Sequence, residues 1–384
     1  MSNKKPLLTI AIPTFNRARY LRELLANLLD QLANQSTVEL LVSDNASSDD
    51  TRLVVEEFEN RGLTLRYLRN DTNIGADANF LRCFEQALGH YVWIFGDDDI
   101  IVPGGISKIL SLLRARDYSL VYVNQYAFRN DPIAARSSDK FDRLAQILPS
   151  GLQLARKVGA TIGFISAMIV NKDLYFAIPH RALTDYNGTN LMQLGWVCPL
   201  LAADSRTLFV WDRIVGARGG NTGGWGIGKV FGVNFAKVID SSLGNRNDIT
   251  RALQKCMLQA WFPNMIMETR RGTGSKFETE NIRDILEPIY KTRLSYWVYV
   301  FPHIVLPLRG AEAWYSVIKF SRLLQTILSV LWDSTFLKKT FVMNSPPGGA
   351  MRFLPTVSCL LVSLRINTLR EYWDNILSSP KEKG

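Results

Sequence analysis

The run Tyr91-Val92-Trp93-Ile94-Phe95-Gly96-Asp97-Asp98-Asp99 constrains what this 384-residue chain can fold into more than any other segment. Five apolar residues in succession leave no polar face, so the segment is expected to be a strand covered on both sides. It delivers three adjacent carboxylates to its C-terminal end, where open α/β sheets bind ligands in the crevice beyond the strand ends. Three neighbouring negative charges repel one another, and a cation or an array of hydrogen-bond donors is needed to offset that repulsion. Oxygen-only ligands favour a hard divalent ion, Mg²⁺ or Mn²⁺, which in turn binds phosphates. Alone, Asp-Asp-Asp would read as a solvated acidic loop; the buried strand before it argues otherwise.

Three earlier blocks repeat the theme. Leu7-Leu8-Thr9-Ile10-Ala11-Ile12-Pro13-Thr14-Phe15-Asn16-Arg17 reads as a strand ending at Pro13, which cannot donate to a sheet ladder. An amphipathic helix follows, with Leu21, Leu24, Leu25, Leu28, Leu29 and Leu32 at helical spacing. Val38 to Asp44 is a second strand ending in an acid, and Asn45-Ala46-Ser47-Ser48-Asp49 opens a helix through Glu57 and Phe58. Taken alone, Asp44 reads as a plain helix-entry residue. A third strand, Thr64 to Leu68, turns at Arg69-Asn70-Asp71-Thr72-Asn73-Ile74-Gly75 into a helix holding Asn79, Phe80 and Phe84. Strands alternating with helices, with acids at strand ends, predict an α/β fold with a doubly wound, mostly parallel sheet.

In order and spacing, Pro-Thr-Phe-Asn-Arg, Ser-Asp-Asn-Ala-Ser-Ser-Asp, Asn-Ile-Gly and Gly-Asp-Asp-Asp resemble the family-2 glycosyltransferases of the A-type glycosyltransferase fold. The resemblance covers roughly the first 125 residues strongly and Gly163 to Trp225 more loosely. Within that family the chain looks most like abequosyltransferase-type enzymes of O-antigen or other surface-polysaccharide assembly, on the Phe-Gly-Asp-Asp-Asp form and a later Asn-Thr-Gly-Gly-Trp block. The resemblance implies a nucleotide sugar donor bound by Pro13, Thr14, Asn16, Arg17, Asp44, Asn73, Gly75, Asp97 and Asp98. It implies Mn²⁺ or Mg²⁺ bridging the diphosphate, with Asp99 and Asp97 as ligands, and inversion by single displacement. In this family a Glu-Asp pair often carries the general base; this chain has none. Asp185, in Thr184-Asp185-Tyr186-Asn187-Gly188-Thr189-Asn190-Leu191, is the first candidate to deprotonate the acceptor, or else caps a helix Leu191 to Leu201. Asp204 is the second.

Composition bounds the rest. Four scattered cysteines (Cys83, Cys198, Cys256, Cys359) suggest neither a disulfide framework nor a zinc site, and three histidines cannot form a histidine-rich metal cluster. Met1-Ser2-Asn3-Lys4-Lys5 leads straight into the first strand, so a cytoplasmic location without a signal peptide is expected. A net charge of +10 suits nucleic acid, an anionic membrane or an anionic substrate. The basic residues are spread out and no nucleic-acid motif accompanies them, so nucleic acid is not an expected partner.

Three parts are expected: a nucleotide-sugar-binding half (1–125), an acceptor-side half (126–240) and a helical C-terminal segment (241–384). In the second, Thr161 to Val170 reads as a strand. Seven glycines between Val215 and Gly228 suggest a lid (216–228), with Arg218 reaching diphosphate and Trp225 covering sugar or base; a flexible linker is the other reading. In the third, Tyr296 to Leu308 and Phe353 to Leu364 are apolar and aromatic but shorter than the roughly twenty residues that span a bilayer. With Arg309, Lys319, Arg322, Lys338 and Lys339 they suit peripheral attachment to an anionic membrane, at the inner face of the cell membrane, where a lipid-linked saccharide acceptor would lie. A packed helical bundle or dimer interface would leave the same pattern. Besides a sugar transferase, two other functions stay open. One is a nucleotidyltransferase, which would show a glycine-rich first turn that residues 13–17 lack. The other is a non-catalytic nucleotide-sugar-binding protein.

Overall fold

A computed structural model describes residues 5–132, 145–220, 225–272, 278 and 280–324. The chain forms two compact units, Met1–Val305 and Leu306–Gly384. Alternation at the start of the first unit is regular: β1 (Leu8–Thr14), α1 (Ala18–Leu32), β2 (Val38–Asp44), α2 (Thr51–Asn60), β3 (Arg66–Arg69), α3 (Ala76–Gln86) and β4 (Tyr91–Ile94). Next come β5 (Ile100–Ile101), α4 (Gly105–Ala115), β6 (Leu120–Phe128), β7 (Ala145–Leu148), α5 (Gly151–Val158), β8 (Met168–Asn171), α6 (Lys172–Ala177), α7 (Leu194–Ala202) and β9 (Thr207–Arg218). Helices then follow one another to Val305.

The strands make one sheet in the order β3-β2-β1-β4-β8-β6-β9-β5, with β7 also paired to β9. The parallel order holds for β3-β2-β1-β4 and for β6 beside β9. Antiparallel β8 is inserted between β4 and β6, and β5 and β7 run antiparallel to β9, so the sheet is mixed beyond β4. All four residues of β4 are buried, as a strand with no polar face requires. Helix α1 turns Leu21, Leu24, Leu25 and Leu28 inward. Helix α7, apolar on every side, runs through the larger core cluster, with Leu194, Trp196, Val197, Leu200 and Leu201 all buried. At its C-terminal end Leu201 presses on α5: a Cβ placed on Gly151 would lie 2.1 Å from the Leu201 carbonyl oxygen.

Several expectations are corrected here. Pro13 does not end β1, because pairing with β2 continues to Thr14 opposite Asp44 while β4 has already departed after Ala11. Only Met168–Asn171 of the predicted strand at 161–170 is extended; the preceding residues coil into short 3₁₀ turns, with Gly159 at φ +56°. Residue 125 falls inside β6 and residue 240 inside the helix Phe235–Ser242, so the expected halves and C-terminal segment meet within elements. One face of the 296–308 run is core: Tyr296, Val300 and His303 are fully buried, while Trp297, Val305 and Leu308 are exposed. Residues 353–364 and Lys338 and Lys339 lie outside the described residues. The second unit is described as far as residue 324, a helix over 308–324. No described helix is long and apolar enough to cross a membrane.

Candidate active site

The carboxyl ends of β1 and β4 open into a cleft of about 600 Å³ that collects Thr14, Arg17, Asn73, Gly75 and all three acids of the triplet. The acids are held by residues from three distant parts of the chain. Thr14 Oγ1 donates to Asp97 (2.8 Å). Arg17 Nη1 donates to both Asp97 (3.0 Å) and Asp98 (3.1 Å). Ser166 Oγ donates to Asp99 Oδ2 (2.6 Å) and accepts from the Gly96 amide (2.9 Å). The Arg218 amide donates to Asp99 Oδ1 (2.9 Å). Gly96 has no side chain for a reason of space: a Cβ there would sit 3.1–3.3 Å from Asp99, Asp98 and Ser166 oxygens.

Burial and the adjacent Asp98 push the Asp99 carboxyl up to about 7. Burial also raises Asp97, to about 6, even though Arg17 beside it pulls the other way. The donors present therefore offset only part of the crowding, and the oxygen-only set fits a hard divalent cation. Among the described residues no three carboxylates, thiols or imidazoles close around one point. A cation on Asp99 and Asp97 would accordingly draw its remaining ligands from water or a phosphate-bearing ligand, as Mg²⁺ commonly does.

Not every expected residue faces this cleft. Pro13, Thr14, Arg17, Asn73, Gly75, Asp97, Asp98, Asp99, Arg218 and Trp225 line it. Asp44 does not: its carboxylate is buried, accepting from the Ser47 amide (2.8 Å) and Tyr67 Oη (2.6 Å). The neighbouring Asn45 lines the cleft instead, bonded to Asn73 (2.8 Å) and accepting from the Ile74 amide (3.0 Å). Asn16, at φ +52°, turns away to accept from the Ser48 amide (2.7 Å). Neither candidate base comes to the cleft. Asp185 is half-exposed and pairs with Arg181 four residues earlier; Asp204 is two-thirds exposed beside Arg246.

The glycine-rich segment is also not one mobile piece. Gly216 and Arg218 end β9, and a Cβ on Gly216 would collide with Ile100 and Tyr126. The Arg218 guanidinium is nearly buried, bonded to the Asp98 carbonyl and Glu23 and packed over Tyr20 and Phe128, so it braces the triplet from behind. At the far end Glu280 accepts from the amides of Gly228 (2.7 Å) and Lys229 (3.0 Å), and its carboxylate occupies the space a Gly226 side chain would need. Trp225 lines the cleft against Phe231, and 221–224 lie outside the described residues.

The sequence reading missed Ser166, Asp77 and Asn190. Ser166 offered one signal in the sequence, a lone hydroxyl between Phe164-Ile165 and Ala167-Met168; the structure buries it fully, where polar groups take partners.

The model for glycosyl transferase family 2 matches residues 9–176, the stretch that supplies the first turn, the acid triplet and Ser166. The chain carries a family-2 glycosyl transferase domain. The chain is 30% identical over 194 residues to the abequosyltransferase RfbV of Salmonella typhimurium, covering 48% of this chain and 58% of that protein. It is 31% identical over 106 residues to the GalNAc(5)-diNAcBac-PP-undecaprenol beta-1,3-glucosyltransferase of Campylobacter jejuni, covering 27% of this chain and 34% of that one. The chain thus spans between a third and three-fifths of these relatives' lengths. The crystal structure of S. aureus TarS 1-349 in complex with UDP superposes with a TM-score of 0.51 at 16% identity, over 81% of this chain and 88% of that one. The fold is the A-type glycosyltransferase fold.

Proposed function

We propose that this family-2 transferase moves a glycosyl group from a nucleoside diphosphate sugar to a lipid-linked saccharide acceptor in surface-polysaccharide assembly. The observation that carries the reading is one cleft uniting the first-strand turn, the Asn73–Gly75 turn and a buried acid triplet at the carboxyl edge of the sheet. The names of the Salmonella and Campylobacter relatives support a polysaccharide product and a polyprenol-borne acceptor. Arg17, only about one-third exposed, would hold the acids in place and offer cationic N–H groups near a leaving diphosphate. Mn²⁺ or Mg²⁺ on Asp99 and Asp97 would supply Lewis-acid stabilisation of the departing nucleoside diphosphate. Single displacement would invert the anomeric carbon as the acceptor oxygen attacks and the diphosphate leaves, and a hexosyl donor fits the same reading. Release of nucleoside diphosphate from UDP-, GDP-, CDP- and dTDP-sugars, with Mn²⁺ and bacterial lipid extract, tests it. Pyrophosphate release from sugar 1-phosphate and nucleoside triphosphate would favour a nucleotidyltransferase, and binding without turnover a non-catalytic binder.

Because Asp185 is solvent-facing, Asp185→Asn is expected to keep kcat within about threefold of the parent, as surface ion pairs contribute little. A drop of a hundredfold would bring the 183–190 segment back as a mobile carrier of the base.

We also propose peripheral attachment at the cytoplasmic face of a membrane, through the second unit. Its helix over 308–324 leaves Val317, Phe320 and Leu324 exposed at spacings of three and four. The full chain is expected to co-sediment with liposomes more strongly as anionic lipid rises. Replacing these three residues by Ser should reduce the bound fraction several-fold, and retention in the supernatant at every composition would overturn the attachment.

A further inference from the structure

The turn after Tyr186 carries two left-handed residues within three positions, Gly188 at φ +77° and Asn190 at φ +55°. A non-glycine residue persists in that conformation only where its surroundings over-determine it. What surrounds Asn190 is Asp77, in the first turn of α3. Asp77 is buried, its Oδ2 accepts from the Asn190 amide (2.8 Å) and its Oδ1 from the Met192 amide (3.4 Å). The amides of Gly188 and Thr189 also face it. From the other side Asn234 Nδ2 donates to the Thr189 carbonyl (3.0 Å). Asn190 itself is exposed and lines the same cleft as the acid triplet. Among the described lining residues, Asp77 is the one carboxylate outside that triplet.

We propose that Asp77 is a positioning residue that fixes residues 187–193 as the acceptor-side wall of the cleft, so that Asn190 meets the saccharide acceptor. The proposal rests on the transferase reading above. Although burial raises the Asp77 carboxyl above its ordinary range, its bonded partners are the loop's backbone amides, so geometry places it as an acceptor that acts on the loop. An asparagine amide presents both donor and acceptor, the pair that reads sugar hydroxyls. Helix α3 starts directly after the Asn73–Gly75 turn that bonds Asn45, so the same anchor ties the acceptor wall to the donor side.

The test combines amide hydrogen exchange with binding and turnover in the full chain. In the parent, the Asn190 and Met192 amides should be protected. In Asp77→Ala they should exchange at least about tenfold faster, while UDP and GDP with Mn²⁺ bind within threefold of the parent. Turnover of whichever donor the panel identifies should fall about a hundredfold, the order expected for ångström-scale misplacement. Asp77→Glu should recover part of both. Asn190→Ala should keep the Met192 protection and raise acceptor KM with donor KM unchanged, which a purely structural role would not produce. Should Asp77→Ala fail to fold, Asp77→Asn with one acceptor oxygen left gives the same comparison. Parent-like exchange at 190 and 192, or loss of nucleotide binding alongside turnover, would overturn the proposal. If the parent binds no nucleoside diphosphate, the transferase reading falls while the exchange data still decide the anchor.

Discussion

Asp99→Asn is expected to lose at least about a hundredfold in turnover without losing thermal stability. Asp99 is fixed on both oxygens, by Ser166 Oγ at 2.6 Å and the Arg218 amide at 2.9 Å. An Asn side chain there must point its NH₂ either at an amide that also donates or at a hydroxyl already receiving the Gly96 N–H. The oxygen lost is one that would grip the cation, and removing a ligand from phosphate chemistry costs on this order. Folding should not suffer in step, because the substitution removes one of three crowded carboxylates and relieves their repulsion. Steady-state kinetics with Mn²⁺ and a thermal melt of the same preparation separate the two effects. Parent-like turnover by Asp99→Asn, or full parent activity in excess chelator, would remove the metal from the proposal.

Gly151→Ala should be the most damaging single methyl group in the first unit. The new Cβ would stand 2.1 Å from the Leu201 carbonyl oxygen and 2.7 Å from its carbonyl carbon and Cα, all backbone. Helix α7 cannot retreat, because Leu194 to Leu201 are buried without a gap along its length. Overpacking a core usually costs about 1–3 kcal/mol, and a clash with backbone on both sides belongs at the top of that range or beyond it. A fall of roughly 6 °C or more in Tm follows for a unit of this size, at about 2–4 °C per kcal/mol. Gly62→Ala is the control: its φ of +91° is strained for alanine but nothing lies within 4 Å, so about 1–2 kcal/mol is expected there. Equal melting points for the two variants would show that α5 can slide away from α7.

The parts legible from sequence were those where one residue type has one physical use. An apolar run ending in carboxylates reads as a buried strand feeding a cleft, and β4 with Asp97 to Asp99 is that. Leucines at helical spacing read as α1. What stayed hidden depends on contacts between segments far apart in the chain. Asp44 was expected to face the ligand, but Tyr67 and the Ser47 amide claim it, and nothing local distinguishes it from Asn45 next door. Asp185 was chosen for want of another acid in its segment, whereas the acid that governs that loop, Asp77, lies 113 residues before Asn190. The aromatic run from Tyr296 resembles an interfacial helix because burial in a core and burial in a bilayer select the same residues; its inward face is packed against the helices before it.

The acid triplet is assembled by Thr14 and Arg17, by Ser166, and by the Arg218 amide, and β8 enters the sheet between β4 and β6. A chain still emerging from the ribosome therefore has its three acids, with Thr14 and Arg17, long before it has Ser166 and Arg218, which set Asp99. Until residue 218 is out and β9 has paired, Asp99 lacks the Arg218 amide that fixes one of its two oxygens, and the sheet beside it is incomplete. The constellation that fixes Asp99 is thus completed only by residues later in the chain, so its assembly is coupled to closure of the mixed sheet at β9.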